Sequence, residues 1–131
     1  MGVRFPSVFA KSSGNVSLPS GTETTIGFTP PLTLPLDFAA VFICTWCTFT
    51  TGTATTAVSL LLRRGISSAG FLVNVNATQL TIAAATQGSL PLIYFDVPGA
   101  AGQVQYALDY TPTAATAAGT CQDWSILAFA L

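Results

Sequence analysis

The chain has 131 residues, half of them apolar, and only 7% are Asp, Glu, Lys or Arg, against about 25% in an ordinary soluble domain. That length fits one domain, and the hydrophobicity argues against disorder. With four basic residues, five acidic residues and no His, the chain lacks the clustered Lys and Arg of a nucleic-acid surface and the imidazole that Ser-His-Asp or Cys-His catalysis requires.

A surface so poor in charge is either neutral and rich in Thr, Ser and Gln, or covered by partner chains. The high apolar fraction favours the second. Membrane spanning is not expected: the longest apolar stretch, residues 38–49, is broken by Thr45 and Thr48 and falls short of the roughly 20 residues a helix needs. The N-terminus, Met1-Gly2-Val3-Arg4-Phe5-Pro6, lacks the apolar run of a signal peptide.

Residues 1–21 read as an extended N-terminal arm. Pro6 and Pro19, the turn signals Ser12-Ser13-Gly14-Asn15 and Ser20-Gly21, and the aperiodic anchors Phe5, Val8 and Phe9 fit no regular element. Arg4, Phe5, Phe9 and Lys11 are its candidate contacts with a neighbouring chain. Residues 22–131 read as the domain body. A strand is expected over 22–28, followed by runs near 38–50, 54–64, 70–76, 78–84, 90–97, 103–110 and 122–131. Their spacing, and their content of Thr, Val, Phe, Tyr and Trp, is that of an all-β antiparallel β-sandwich. No sustained helical stripe occurs. Pro98-Gly99-Ala100-Ala101-Gly102 and residues 111–120 read as loops. The expected core draws on Phe42, Leu60, Leu62, Val73, Ile82, Leu92, Tyr106, Leu108 and Ile126.

Period-two reading separates two kinds of strand. Tyr106, Leu108 and Tyr110 alternate with Gln105 and Asp109, and Phe71 and Val73 with Asn74 and Asn76, so these strands have one wet face. The strands over 38–49 and 124–131 are apolar on both faces. One face fills a sandwich; the other needs cover. Trp46, Phe49, Trp124, Phe129 and Leu131 are therefore the candidate oligomer interface, and closed threefold symmetry would also hide strand edges.

Few residues suggest chemistry. Cys44-x-x-Cys47 is half a zinc site with neither a second pair nor a His to complete it, and no metal or cofactor is expected. On a strand these two cysteines lie about 10 Å apart, beyond the roughly 7 Å a disulfide tolerates. They read as small buried hydrophobes, either of which could meet Cys121 across a sheet. Glu23, the single Glu, lies in the N-terminal segment, and nothing in the spacing of Asp37, Asp96, Asp109 and Asp123 suggests a carboxylate pair. Asp96-Val97-Pro98-Gly99 reads as a turn opened by the Asp side chain. Asn76-Ala77-Thr78 matches a glycosylation sequon, relevant only in a secretory pathway. Of Arg63 and Arg64 only one can point outward; the pair ends a strand in solvent or makes an intersubunit or arm-binding salt bridge to a carboxylate such as Asp96. The chain is not expected to be an enzyme.

The cadence Leu62-Arg63-Arg64-Gly65, then Tyr94-Phe95-Asp96-Val97-Pro98-Gly99-Ala100-Ala101-Gly102, Gln105-Tyr106-Ala107-Leu108 and the terminal Trp124-Ser125-Ile126-Leu127-Ala128-Phe129-Ala130-Leu131 resembles the small β-sandwich virion proteins of tailed bacteriophages: head decoration (cement) proteins and the related terminal domains of tail fibres. The resemblance covers roughly residues 22–131 and rests on turns and strands; the Cys44–Cys47 pair and the Pro-rich arm lie outside it. It implies a jelly-roll-like sandwich, often trimeric, on the capsid surface of a virion. A chain with only about 20–35 residues before its first strands fits a decoration protein that binds across neighbouring major capsid subunits. The alternative is a receptor- or glycan-binding tail-fibre or spike head, with Tyr94, Tyr106, Tyr110 and Trp46 as candidate sugar contacts.

Overall fold

The computed structural model describes residues 5–12, 14–19, 22–52, 56–74, 78–112 and 119–131. Among them are twelve β-strands and no helix: β1 (Ser7–Lys11), β2 (Val16–Leu18), β3 (Thr24–Phe28), β4 (Leu32–Leu34), β5 (Val41–Thr51), β6 (Thr56–Arg64), β7 (Phe71–Leu72), β8 (Thr78–Ile82), β9 (Gln87–Asp96), β10 (Gly102–Val104), β11 (Tyr106–Pro112) and β12 (Gly119–Ala130). One sheet has the order β1–β12–β5–β9, with β2 also on β12; the other has the order β3–β11–β6–β7, with β8 also on β6; β4 and β10 form a separate ribbon. All pairings are antiparallel. With β1, which shares the edge of β12 with β2, and the short strands β4, β7 and β10 set aside, eight strands remain in two four-stranded layers, β2–β12–β5–β9 and β3–β11–β6–β8. This is the order of a jelly-roll sandwich.

The inner faces interdigitate. Val41, Ile43, Cys47 and Phe49 of β5 and Trp124, Ile126 and Ala128 of β12 meet Val58, Leu60 and Leu62 of β6 and Tyr106, Leu108 and Tyr110 of β11; all are buried. The Phe49 and Tyr110 rings pack 5.6 Å apart across the layers. Cys121 and Trp124 are three residues apart yet both point inward, which a regular strand forbids. A register shift between Cys121 and Asp123 supplies the extra residue, as a β-bulge does. The Trp124 indole lies against the backbone of Gly27, where an added Cβ would sit 2.2 Å from the ring; only glycine fits there.

The core expectation holds for eight of its nine residues, and Phe42 is the exception. Val41 and Ile43 point inward, so Phe42 points out. When both faces of a strand are apolar, alternation sets the parity of the side chains but not which set is inside.

The N-terminal segment is extended, but it lies along its own sandwich. Ser7–Lys11 pairs with Phe129–Ser125 of β12, and Val16–Leu18 with Cys121–Gly119. Leu18 is fully buried, and Val8 and Ala10 pack on the core. The expected boundary at residue 21 therefore falls inside the folded unit: β12 needs an edge partner for its backbone groups, and β1 and β2 provide it. Arg4, Asn76, Ala77 and residues 113–118 lie outside the described residues.

Asn74, expected on a wet face, is buried. It bridges the gap on β6 between β7 and β8. Leu62 N–H donates to Asn74 Oδ1 at 2.7 Å, Asn74 Nδ2 donates to the Leu60 carbonyl at 2.9 Å, and Val73 N–H donates to the Leu62 carbonyl. The amide side chain continues the backbone ladder. Asn74→Ala would leave a buried N–H and a buried C=O unpaired, at about 1–3 kcal/mol each. The expected loss in urea unfolding is therefore about 2–6 kcal/mol; a loss under about 0.5 kcal/mol would contradict this role.

Candidate interaction face

The site that stands out is the outer face of the β1–β12–β5–β9 sheet. Its register sets side chains in rows across the strands. Phe129, Phe42 and Phe95 form one row, and Phe9, Leu127, Cys44 and Ile93 the next; Lys11, Ser125, Trp46 and Pro91 follow, and Asp123, Thr48 and Ser89 close the set. Phe42 sits between its neighbours, 5.1 Å from the Phe95 ring and 4.9 Å from the Phe129 ring, as paired aromatics prefer. Phe9 (55%), Ile93 (58%) and Phe95 (59%) are more than half exposed, and Trp46 and Leu127 are exposed as well. An apolar patch that crosses four strands is the kind of surface that marks an interaction site.

The few charges do little to solubilise the molecule. Arg64 clamps Asp96 through Nε at 2.7 Å and through a second, shorter contact; the Tyr106 hydroxyl donates to the same carboxylate at 2.8 Å. This cluster links the two layers, because Asp96 ends β9 and Arg64 and Tyr106 pair in the opposite sheet. Burial and the Asp96 carboxylate push the Tyr106 hydroxyl well above its ordinary range, and Asp96 raises Arg64 further. Arg64 also lies 4.8 Å over the Phe71 ring. Asp96 is thus an ion-pair partner within its own chain rather than a turn opener. Arg63 grips Glu23 with Nε and NH2 and lies 3.8 Å from Asp109. Five of the chain's nine charged residues are therefore engaged internally. Lys11, Asp37 and Asp123 are exposed.

The residues expected at an interface separate into two groups. Trp46 and Leu131 are exposed and Phe129 is half-buried on the outer face; Phe49 (2%) and Trp124 (9%) are core residues and cannot meet a partner. The parity that placed Phe42 outside places Phe49 inside, and the bulge turns Trp124 inward. Of the arm contacts, Phe5, Phe9 and Lys11 are exposed, and Phe9 and Lys11 belong to the face itself. Leu127 lies on the second apolar face expected for residues 124–131, whereas Ile93 and Phe95 were not expected there, although their alternation with Leu92 and Tyr94 signals the same doubly apolar pattern. Among the proposed sugar contacts Tyr106 and Tyr110 are buried, which leaves Trp46 and the half-buried Tyr94. A pocket of about 190 Å³ beside the face is lined by Phe5, Pro6, Pro35, Asp37, Phe38 and Leu131, smaller than the roughly 300–1,000 Å³ of ligand sites.

No family model and no curated protein matches the chain. Solved structures match its fold. A chain of the infectious bursal disease virus VP2 subviral particle superposes with a TM-score of 0.63 at 12% identity, over 96% of this chain and 32% of that one. A chain of the T13 particle of the same virus gives 0.52 at 10% identity, over 97% and 35%. Latent PorU from Porphyromonas gingivalis gives 0.50 at 10% identity, over 98% and 13%. The chain thus spans about a third of the length of the viral-particle chains it resembles. The class defined is an all-β antiparallel sandwich with jelly-roll strand order.

Asp109 yields a test of the electrostatics. It is fully buried and neither carboxylate oxygen has a hydrogen-bond partner. Burial first, then the adjacent Glu23 carboxylate, raises it to about 6, against the partial opposition of Thr25 and Arg63. Between about pH 4 and pH 6 the folded chain retains a proton that the unfolded chain has released. Stability should therefore fall as pH rises through that window, by roughly 3 kcal/mol. Asp109→Asn should remove this part of the slope; identical pH profiles of unfolding for variant and wild type would contradict the assignment.

Proposed function

We propose that the chain is a structural protein of a bacteriophage virion: a capsid decoration or cement protein that acts as a homotrimer and stabilises the head by binding across neighbouring major capsid subunits. The observation that carries this reading is the apolar outer face of the β1–β12–β5–β9 sheet on a chain with few free charges. Burying each Phe or Trp on it contributes roughly 1.5–3 kcal/mol before association costs. Copies around a threefold centre would add avidity. The fold shared with viral-particle chains and the cadence of residues 62–131 support the virion setting. A rigid sheet face, rather than a loose arm, makes the contacts; β1 contributes Phe9 and Lys11 to it. The work is adhesion rather than catalysis.

Two measurements test the reading. Particles purified from the source that expresses the chain should carry it on their outer surface around local threefold positions; particles without it would overturn the capsid assignment. The isolated chain should sediment as a trimer at micromolar concentration. Phe95→Asp, at an exposed site that the core does not use, should yield folded monomers. A stable wild-type monomer at that concentration would count against the trimer.

A further inference from the structure

We propose that Cys47 and Cys121 form an intrachain disulfide that closes β5 to β12 from the core side when the chain folds in the presence of a low-molecular-weight disulfide. Their sulfurs lie 3.1 Å apart, closer than the roughly 3.5–4.0 Å at which even carbon atoms pack. A bond needs a further approach of about 1 Å. Both thiols are fully buried, and the other contact of Cys121 Sγ, with the Asp123 carbonyl, is longer at 3.5 Å. The arrangement is a product of the bulge. Cys47 stands opposite Trp124 and Cys121 opposite Phe49, and the extra residue after Cys121 returns its side chain to the inner face beside Cys47. Cys44, one of the three thiols and the one least distant in sequence from Cys47, is directed to the outer face between Leu127 and Ile93. The hydrogen bond between the two thiols raises Cys47 and lowers Cys121, but both sulfurs are closed off from any disulfide reagent in the folded chain, so the bond forms before β12 docks.

The exchange balances with glutathione disulfide as oxidant. One protein thiolate attacks a glutathione sulfur, forming a mixed disulfide and expelling one glutathione thiolate. The second protein thiolate attacks the protein sulfur of that mixed disulfide, forming the Cys47–Cys121 bond and expelling the second. The two thiol protons and the two electrons end on two molecules of reduced glutathione. The pair is separated by 74 positions, and a bond across so long a loop strongly restricts the unfolded chain.

The test is to refold the full chain from denaturant with a glutathione redox buffer, quench with alkylating reagent in denaturant, and map the peptides. The expected product is lighter by about 2 Da before alkylation, the two hydrogens lost. It has Cys44 as its single alkylated thiol and a linked Cys47–Cys121 peptide, and its thermal midpoint should rise by more than about 5 °C and return on reduction. Cys44→Ser should behave as wild type. Three alkylated thiols after oxidative refolding, or a linked peptide containing Cys44, would overturn the proposal. The outcome is independent of any capsid role, because the pair lies in the core and not on the outer face.

Discussion

The β5–β12 ladder is the constraint on which the rest of the molecule depends. It runs from Val41 opposite Ala130 to Thr51 opposite Gly119, at the centre of its sheet, and neither strand has a wet face over most of that length. Because side chains alternate strictly, the choice that sends Val41, Ile43, Cys47 and Phe49 inward sends Phe42, Cys44 and Trp46 outward. The inner set fills the jelly roll. The outer set, continued onto β9 and β1, is an apolar surface that the described residues leave uncovered. Core and interaction face are thus two sides of one register: a slip by one residue would exchange them.

The charged residues reinforce that division. Arg64, Asp96 and Tyr106 tie the end of β9 to the opposite sheet, and Arg63 holds Glu23 of the segment leading into β3. Truncating one partner of such a pair strands the other in a poorly solvated place, so these residues serve the sandwich rather than its solubility. What remains outside is nearly neutral. Among the described residues of the apolar face only Lys11 and Asp123 carry charge, both in its last two rows. An exterior of this kind suits a chain that works surrounded by others.

Much of this was legible in the sequence. The spacing of Val-, Phe- and Tyr-rich runs, the Pro98–Gly102 turn and the doubly apolar strands all point to an antiparallel sandwich with a face in need of cover. Three things were not. Which apolar set lies inside depends on the partner sheet, so Phe42 and Phe49 could not be told apart. The bulge after Cys121 has no Gly or Pro to announce it, and it decides the positions of both Trp124 and the cysteine pair. The polar residues that look wet, Asn74 and Asp109, are buried by partners far away in sequence; Asn74 works as a substitute for backbone, which composition cannot show. β1, β2 and β4 are short, flanked by Pro or Gly, and take strand form because a sheet edge or a neighbouring strand accepts them.

The proposed role requires that the outer face of the β1–β12–β5–β9 sheet be buried against protein in the working assembly. Hydroxyl-radical footprinting of the assembled and the dissociated folded chain tests it most directly, because the molecule contains its own controls: Phe71 (62% exposed) and Ile66 (51% exposed) lie away from that face. Trp46, Ile93 and Phe95 should be strongly protected in the assembly, with Phe71 and Ile66 modified at unchanged rates. Trp46 and Phe95 reacting equally fast in both states would contradict it.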